Sequence, residues 1–350
     1  MSDDLAMAPP FEPDGETDGA MAPPSEPDGG ERADLREVRE RHEVGLDAAR
    51  PEAVAERRER GRRTTRENLA ELLDPESFVE YGPLVFAAQE RRRAREDLIA
   101  RTPADGLVAG VGEVDGMRCV AMSYDYTVLA GTQGMRGHLK KDRLFELAER
   151  RRLPVVLFAE GGGGRPGDVD APIVAGLDCR TFNLFGRLSG LVPLVGIAAG
   201  NCFAGNAALL GCCDVVIATE DSSIGMGGPA MIEGGGLGVY EPAEVGPIEM
   251  QDANGVVDLR VADDREAVAA AKRYLSYSPA WMAARSGWWR TIRHTWAGRS
   301  TPTGPTRRRA SCSCATRLSC PCCFCATRPA SWWGRTPSRP RPCATSRACS

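Results

Sequence analysis

Four consecutive glycines, Gly161–Gly164, follow the apolar run Val155–Ala159 and precede Arg165. Such a turn exposes backbone N–H groups that no side chain shields, and two adjacent N–H groups can hold an oxygen on which negative charge develops. The same groups could hold a phosphate, but a nucleotide-binding loop requires Lys and then Ser or Thr after its glycines, where this sequence has Arg165 and Pro166. This first glycine turn therefore predicts an oxyanion site, with a plain flexible turn as the alternative.

Two further glycine turns follow apolar runs in the same region of the sequence. The second, Gly200–Ala208, comes after Leu194–Ala198, and its small residues allow a helix to begin close to a strand and to a bound ligand. The third, Gly225–Pro229, comes after Asp214–Ala218. Three such turns after three apolar runs predict a cleft lined by backbone at one edge of a sheet.

Side chains that could act as acids, bases or metal ligands are sparse. The three histidines are scattered without metal-ligand spacing, and no Ser–His–Asp arrangement can be assembled: His42, His138 and His294. His138 lies among basic residues and is interpreted as a surface residue or an anion contact. Three cysteines in apolar surroundings are interpreted as small buried residues: Cys202, Cys212 and Cys213. A cleft with donors but no evident acid or base suggests stabilisation of an enolate.

The elements that must position these turns follow an α/β pattern. Five short apolar runs predict strands: Leu107–Val111, Arg118–Ser123, Val155–Ala159, Leu194–Ala198 and Asp214–Ala218. Three stretches predict helices: His138–Arg151, Gly205–Gly211 and Asp263–Tyr274. Buried strands that alternate with helices indicate a layered α/β fold.

The segment before the α/β region differs from it in composition. Residues 1–30 carry eight acidic and no basic residues in an imperfect Pro-rich repeat, which predicts disorder. Residues 31–73 predict helices with interleaved Glu and Arg, and Thr64 with Glu67 predicts a capping box before Leu69. Because Glu alternates so closely with Arg, a solvated helix face is favoured over a nucleic-acid surface.

The whole sequence excludes some classes of protein. It has no apolar run of the ~18 residues that a membrane span requires. Met1 opens onto an acidic stretch rather than onto a basic and then apolar signal sequence, so a cytoplasmic location is expected. No metal site is expected.

Taken together, these residues resemble the carboxyltransferase component of biotin-dependent acyl-CoA carboxylases such as acetyl-CoA and propionyl-CoA carboxylase. The resemblance covers about residues 56–277, and Glu160–Arg165 stands where the family usually has Asp-Ser-Gly-Gly-Ala-Arg. Its other matching motifs are Gly61–Glu80, Tyr124–Val128, Gly131–Gly134, Lys141–Arg143, Gly200–Ala208, Gly228–Met231, Asn254–Asp258 and Lys272–Tyr277.

The resemblance implies a crotonase-like (ClpP/crotonase) α/β fold with two such halves in each complete chain. In that family the N-terminal half mainly binds acyl-CoA, the C-terminal half mainly handles carboxybiotin, and active sites form between halves of different subunits. Gly162 and Gly163 match the paired glycines of one oxyanion hole and are the expected catalytic residues. The residues expected to contact the substrate are Gly161, Gly164, Arg165, Gly200, Gly205, Gly228 and Pro229.

The reaction implied by the resemblance moves a carboxyl group from N1-carboxybiotin to the α-carbon of an acyl-CoA such as acetyl-CoA or propionyl-CoA. The biotin is carried by a separate carrier domain, and its N1 anion usually serves as the base. The implied partners are biotin carboxylase, the biotin carboxyl carrier and further copies of this chain. In the glycine turn Glu160 replaces Asp, which leaves the backbone donors but puts side-chain support of the turn in doubt.

The tail segment, residues 278–350, has a different composition from the rest of the chain. All 48 acidic residues lie before residue 267, whereas eight of the 13 cysteines lie beyond Gly287. Arg outnumbers Lys 41 to 3 in the chain, which indicates GC-rich DNA, where a shifted frame yields Arg, Pro, Ala, Cys, Ser and Trp. The cysteines could also suggest a zinc module, but pairs of Cys-x₂-Cys at the usual separation and a nearby His are missing.

Shifting the codons supports an out-of-frame tail segment. When the last base of each codon joins the first two of the next, Trp332-Trp333-Gly334 must give Val-Gly, and the preceding residues from Cys325 permit Cys-Asp-Thr-Pro-Gly-Ile-Met. Residues Trp288–Gly298 permit Val-Ala-Asn-Asn-Pro-Ala-His-Leu-Gly-Gly. Both phrases are similar to the second half of the family, so the gene is predicted to encode that half in another frame.

The predicted organisation is therefore a disordered tail (1–30), a helical arm (31–104), a crotonase-like acyl-CoA-binding half (105–277) and an out-of-frame tail segment (278–350). Two alternatives remain open. The chain could be a folded remnant without activity, or a crotonase-like acyl-CoA decarboxylase or hydratase. A hydratase would need two acids facing the cleft, and none is identified.

Overall fold

The computed structural model describes residues 32–170 and 179–277. In order along the chain, strands β1 to β9 are Val79–Glu80, Leu107–Val114, Met117–Tyr124, Val155–Phe158, Leu194–Ala198, Asn201–Phe203, Val215–Thr219, Ser223–Gly225 and Leu259–Val261. Helices α1 to α10 are Ala33–Glu43, Pro51–Glu59, Thr65–Leu72, Arg95–Arg101, Met135–Arg151, Thr181–Leu188, Gly205–Leu210, Pro229–Gly234, Ile248–Ala253 and Asp264–Ser276.

Seven of the strands form one sheet in the order β1-β2-β3-β4-β5-β7-β9. The first three strands pair antiparallel, and every pair from β3 to β9 is parallel. Because β4 and β5 are in register from Val155↔Leu194 to Phe158↔Ile197, the turns after them leave the same edge of the sheet. Strands β6 and β8, which belong to the second and third turns, form a small parallel sheet of their own.

The strands alternate their side chains between two apolar layers. Val120, Met122 and Leu157 face a core that includes residues of α5, α6 and α7. Ala121 and Val156 face a second core that includes residues of α3 and α10. Buried strands with apolar residues on both faces are typical of a parallel sheet covered on both sides by helices.

The structure confirms all five predicted strands: Leu194–Ala198 matches at both ends, and the ends of the others differ by at most three residues. The predicted helix His138–Arg151 begins earlier, at Met135. The helix predicted over Asp263–Tyr274 extends from Asp264 to Ser276, and Asp263 is its N-cap residue. The sequence analysis did not identify β1, β6, β8 or β9. These strands have two or three residues each, which is too short for alternation to be recognised.

The helical arm packs onto the same sheet. The predicted capping box of α3 is present: the Glu67 N–H donates to Thr64 Oγ1 at 3.1 Å, and the Thr64 N–H donates to Glu67 Oε2 at 2.9 Å. Leu69 and Leu72 of this helix lie in the second core, and Val79–Glu80 adds an edge strand to β2. The arm thus contributes to the layer that covers the sheet.

Two predictions concern residues outside the described ranges: the disorder of residues 1–30 and the out-of-frame tail segment with its rejected zinc module. Within the described ranges, none of the helices is long and apolar enough to cross a membrane.

Candidate active site

Backbone hydrogen bonds join the three glycine turns. The Gly161 N–H donates to the Asn201 carbonyl at 2.7 Å, and the Phe203 N–H donates back to the Gly161 carbonyl at 2.9 Å. The Ala204 N–H donates to the Gly225 carbonyl at 2.9 Å. The structure therefore brings the three turns to one edge of the sheet, as the sequence predicts.

Three of the glycines occupy positions that a side chain could not share. A Cβ on Gly161 would lie 2.2 Å from the Gly131 carbonyl oxygen. Gly163 has φ +93°, and its Cβ would lie 2.6 Å from Cβ of Ala204. Gly200 has φ +132°, with Glu160 Oε1 only 2.4 Å from the position of its Cβ. The turns are thus shaped by close approach of backbone and by left-handed backbone angles.

The N–H groups of the two predicted catalytic glycines are used inside the protein. Gly162 donates to the Ala130 carbonyl at 3.0 Å, and Gly163 donates to Asn206 Oδ1 at 3.1 Å. In this conformation they fix the turn instead of pointing at a ligand. The prediction that Gly162 and Gly163 themselves hold a substrate oxygen has no geometric support here.

Several other N–H groups at this edge have no acceptor among the described residues, and they include those of Gly164 and Gly205. Gly164 is exposed, and nothing within 4 Å would meet a Cβ there. Gly205 is the first residue of α7, and its nitrogen lies 3.5 Å from the Cβ position of Gly163. Gly164 and Gly205 thus place free donors on two neighbouring segments, the end of the first turn and the start of a helix.

A buried network of hydrogen-bonded polar side chains supports the first turn. Gln133 donates its backbone N–H to the Gly163 carbonyl at 2.7 Å and accepts from the Arg165 N–H at 3.1 Å. Its side-chain Nε2 donates to Asn206 Oδ1 at 3.2 Å, and its Oε1 accepts from Lys141 Nζ at 2.8 Å. The sequence analysis did not identify Gln133 or Asn206. The only available signal was their position within motifs of the resemblance.

Arg165 is directed into the protein. Its side chain is 4% exposed and forms an ion pair with Asp105, which is fully buried. It also donates to the Thr132 carbonyl at 2.9 Å. Since its guanidinium is already paired, the structure gives no support to the prediction that Arg165 contacts the substrate, and its observed role is to tie the turn to Asp105.

Glu160 receives support that the sequence analysis put in doubt. Arg57 of α2 donates to both carboxylate oxygens of Glu160, at 2.9 and 2.8 Å, and both side chains are buried. Burial raises the pKa of Glu160, while the charge of Arg57 opposes that shift. The longer Glu in place of the family's Asp is therefore held by an arginine of the helical arm.

An open cleft of about 330 Å³ borders the first turn. Its lining residues are Glu56, Arg57, Arg60, Tyr126, Thr127 and Ala130. The Ala130 carbonyl accepts from Gly162, and the Tyr126 hydroxyl accepts from Asn201 Nδ2 at 3.4 Å. Two lining residues thus hydrogen-bond to the turns, Ala130 to the first and Tyr126 to the second, although no glycine of either turn lines the cleft itself.

The third turn also has N–H groups without an acceptor among the described residues, those of Gly227 and Gly228. A Cβ on Gly228 would lie 3.4 Å from the Phe203 ring, and Pro229 is the first residue of α8, a helix without buried residues. The substrate contacts of Gly228 and Pro229 stay predictions.

The histidine and cysteine interpretations have mixed outcomes. His138 is half-buried and lies 2.9 Å from Thr181 Oγ1, so its interpretation as a surface residue is wrong, because α5 packs against α6 at this point. Burial, with the charges of Lys141 and Arg165, lowers its pKa to about 3.

Cys202 and Cys213 are buried as expected, and Cys212 is half-buried. Within the described ranges no group of His, Cys, Asp and Glu could hold a metal ion.

Comparison with known proteins identifies relatives of this chain. A family model described as the carboxyl transferase domain matches residues 56–288. The chain is 31% identical over 236 residues to the methylmalonyl-CoA carboxyltransferase 12S subunit of Propionibacterium freudenreichii subsp. shermanii, covering 65% of this chain and 42% of that protein. It is 29% identical to the propionyl-CoA carboxylase beta chain of Saccharopolyspora erythraea, covering 71% of this chain and 45% of that one. The chain thus spans less than half the length of these relatives.

Solved structures agree with this likeness. A single-chain, multi-domain long-chain acyl-CoA carboxylase superposes with a TM-score of 0.67 at 63% identity, covering 71% of this chain and 25% of that chain. The transcarboxylase 12S structure, a hexamer with methylmalonyl-CoA bound, gives a TM-score of 0.59 at 28% identity, covering 71% of this chain and 48% of that chain. The predicted crotonase-like α/β fold is confirmed by these neighbours.

Proposed function

Because this chain belongs to the carboxyl transferase domain family of biotin-dependent acyl-CoA carboxylases, we propose that it is the acyl-CoA-binding half of such an enzyme. In the complete enzyme it would bind an acyl-CoA thioester while a carboxyl group is transferred from N1-carboxybiotin to the α-carbon. The first substrates to test are acetyl-CoA and propionyl-CoA.

The observation that carries this proposal is that the Gly164 and Gly205 N–H groups have no acceptor among the described residues. Gly164 and Gly205 offer donors at the sheet edge where the three turns meet. A thioester whose oxygen lies between them would have that oxygen stabilised when the α-proton leaves and an enolate forms. Gly162 and Gly163 then shape the donor geometry through Ala130 and Asn206.

The two buried carboxylates that support the first turn are not available as a general base. Glu160 and Asp105 are each buried and paired with an arginine, so neither carboxylate is free to take a proton from the substrate. Carboxybiotin, when bound, would supply both the carboxyl group and a basic nitrogen. The residues of this half would bind the acyl-CoA, orient the thioester oxygen and hold the charge that develops on it.

The three lysines of this sequence are not suited to carry covalent biotin. Lys140 and Lys141 are buried, with their Nζ atoms bonded to backbone carbonyls or to Tyr124 and Gln133. Lys272, the third lysine of the sequence, lies in the middle of α10. None of them offers an exposed amine on a turn for covalent biotin. The proposed partners are therefore a biotin carboxyl carrier, biotin carboxylase and further copies of this chain.

A second candidate is a folded remnant without activity, which is favoured by the short span of the match. The chain covers 42% of the 12S subunit, and the other half of the active site would be missing. We propose that the 350-residue chain is inactive because its tail segment is out of frame, and that restoring the frame restores activity. Resequencing the gene across the codons for residues 277–289 tests the frame directly.

The donor role is tested by two matched substitutions in the frame-restored protein, assayed with purified carboxybiotin donor and each acyl-CoA. Gly164→Ala keeps the N–H and has open space for its Cβ, so turnover should stay within about twofold of wild type. Gly164→Pro removes the N–H, and turnover should fall by about 10²-fold or more, the typical loss of one oxyanion donor. Gly205→Pro removes the second donor at the first position of a helix, where Pro is tolerated. Gly205→Ala measures the separate effect of a Cβ there, which would lie 3.0 Å from Gln133 Nε2.

Four outcomes would count against the proposal. Equal turnover of Gly164→Pro and Gly164→Ala would remove Gly164 from the donor role. Carboxybiotin-independent loss of CO₂ from malonyl-CoA would favour a decarboxylase, and hydration of an enoyl-CoA would favour a hydratase. A frame-restored protein that folds and assembles but performs none of these reactions would support the inactive remnant.

A further inference from the structure

Lys141 is a fully buried lysine without a carboxylate partner within the described ranges. Its side chain is among the largest that are wholly inaccessible. Its Nζ donates to the Tyr124 hydroxyl at 2.7 Å and to Gln133 Oε1 at 2.8 Å, and it lies 5.3 Å from the centre of the Tyr124 ring. An ammonium held only by neutral groups in a low-dielectric interior is costly and calls for an explanation.

The hydrogen bonds of Lys141 lead directly to the first glycine turn. Gln133, which accepts from Lys141, donates its Nε2 to Asn206 Oδ1 at 3.2 Å. The same Asn206 oxygen accepts the Gly163 N–H at 3.1 Å, and Asn206 Nδ2 donates to the Gly131 carbonyl at 3.3 Å. The backbone of Gln133 also bonds to the turn: its N–H donates to the Gly163 carbonyl, and its carbonyl accepts from the Arg165 N–H. The side chains of Gln133 and Asn206 thus connect Lys141 to the Gly163 N–H of the first glycine turn.

We infer that Lys141 is a positioning residue, whose ammonium acts through Gln133 and Asn206 to fix the first glycine turn and to favour negative charge beside it. Its catalytic part, the favouring of negative charge, rests on the proposed function. Its structural part, the fixing of the turn, does not. Asn206 is also the second residue of α7, next to Gly205, so the chain supports both segments that carry a free donor.

The charge of Lys141 responds to several groups around it. Burial lowers its pKa to about 7, with Cys179, Asp142 and Asp105 opposing this shift and Arg165 adding to it. His138 lies one turn earlier on α5, and the charge of Lys141 contributes to lowering the pKa of His138. Tyr124 lies on β3, and burial raises the pKa of its hydroxyl. Below neutral pH the lysine is therefore charged, and above it the lysine is a neutral amine that can accept from Tyr124.

The structural part is tested in the 350-residue chain by following the Gly163 amide resonance with pH. In wild type it should shift with a midpoint near pH 7, since the lysine changes charge at about that value. Lys141→Met should abolish this transition. Lys140→Met is the matched control, because Lys140 is also buried on α5 but bonds to the carbonyls of Ala104 and Leu107 and does not contact Gln133.

Lys141→Arg keeps the test decisive if Lys141→Met fails to fold. A guanidinium stays protonated throughout this range, so the transition should again be lost while the chain remains folded. Persistence of the Gly163 transition in either folded Lys141 variant would overturn the inference. Its loss in Lys140→Met as well would also overturn it, because the effect would then not be specific to the chain through Gln133.

The catalytic part is tested in the frame-restored protein by a pH profile of turnover. The ratio of kcat for wild type to that for Lys141→Met should fall by about tenfold from about pH 6 to about pH 9, as the buried charge near the oxyanion is lost. KM for acyl-CoA should change less than kcat. A ratio that does not vary with pH would overturn the catalytic part. If frame-restored wild type shows no carboxyl transfer at all, the proposed function fails, while the amide titration still decides the structural part.

Discussion

At Gly163 the backbone angle and the close approach of Ala204 both require glycine. We expect Gly163→Pro to destabilise the protein by at least about 2 kcal/mol, since it replaces φ +93° by about −65° and deletes the N–H that Asn206 accepts. In the frame-restored protein, turnover should be lost with a smaller change in acyl-CoA affinity. Chemical denaturation and steady-state kinetics measure the two effects.

The control for Gly163 is Gly164→Ala, one residue further along, where a Cβ meets nothing within 4 Å. It should unfold at the same denaturant concentration as wild type. An unchanged free energy of unfolding and unchanged turnover in Gly163→Pro would show that the first glycine turn is not held as the structure indicates.

His138 should make the stability of the protein depend on pH in the acid range. Its pKa is about 3 in the folded protein against 6.5 for an unperturbed histidine, so between these values the unfolded chain binds more protons. The free energy of unfolding should therefore fall as pH decreases from about 6.5, by up to about 1.4 kcal/mol per pH unit from this one group.

We expect His138→Gln to lose this part of the acid dependence. Urea denaturation of both proteins between about pH 4 and pH 8 measures it, with the values near pH 7 and 8 as the baseline for any constant effect of the substitution. Parallel curves for the two proteins would contradict the prediction.

At the scale of elements, the pair Arg57–Glu160 connects helix α2 of the arm to the end of strand β4. Both side chains are buried, and removal of one partner leaves the other charge uncompensated. Arg57→Met should therefore destabilise the protein by about 3–5 kcal/mol. Arg57→Met combined with Glu160→Met should cost less than the sum of the two single substitutions, which a double-mutant cycle by chemical denaturation measures.

Arg58→Met is the matched control for Arg57. It lies on the same helix and bonds to Glu67, but its side chain is 66% exposed, so its loss should cost no more than about 1 kcal/mol. Equal effects of the Arg57 and Arg58 substitutions would show that the arm does not hold the first glycine turn through Glu160.

At the scale of the whole molecule, the prediction concerns the tail segment. Apolar positions after about Tyr277 follow neither a period of 2 nor one of 3.6, and Pro and Arg interrupt every candidate element. We expect the 350-residue chain to lack carboxyltransferase activity, to assemble poorly and to be cleaved by light proteolysis near residue 280. Mass spectrometry of the digest, sedimentation and the carboxyl-transfer assay measure these three properties.

Restoring the frame, with any missing linker, should recover both assembly and activity. Helix α8 and the segment after it carry exposed apolar residues such as Met231, Leu237 and Val239, and exposed apolar surface that stays uncovered favours aggregation. A protease-resistant tail segment, or full activity of the 350-residue chain, would refute the argument from the reading frame.

The sequence by itself determined the layered α/β class, the five central strands and the three glycine turns. It could do so because buried strands are continuous apolar runs and because glycine marks the positions where backbone must approach backbone. The capping box of α3 was equally local, since it needs only Thr64 and Glu67 three residues apart. The short strands were not predictable, because their pairing depends on neighbours far along the chain.

Only the tertiary structure decided which N–H groups of the turns are free. Gly162 and Gly163 looked like donors in the sequence, but the Ala130 carbonyl and the Asn206 side chain, distant in sequence, accept from them. In the same way Arg165 is neutralised by Asp105, and Glu160 by Arg57, from segments about 60 and 100 residues away. A hydrogen bond or an ion pair is a relation between two positions in space, so the residue types alone fix what each group can do and the fold fixes what it does.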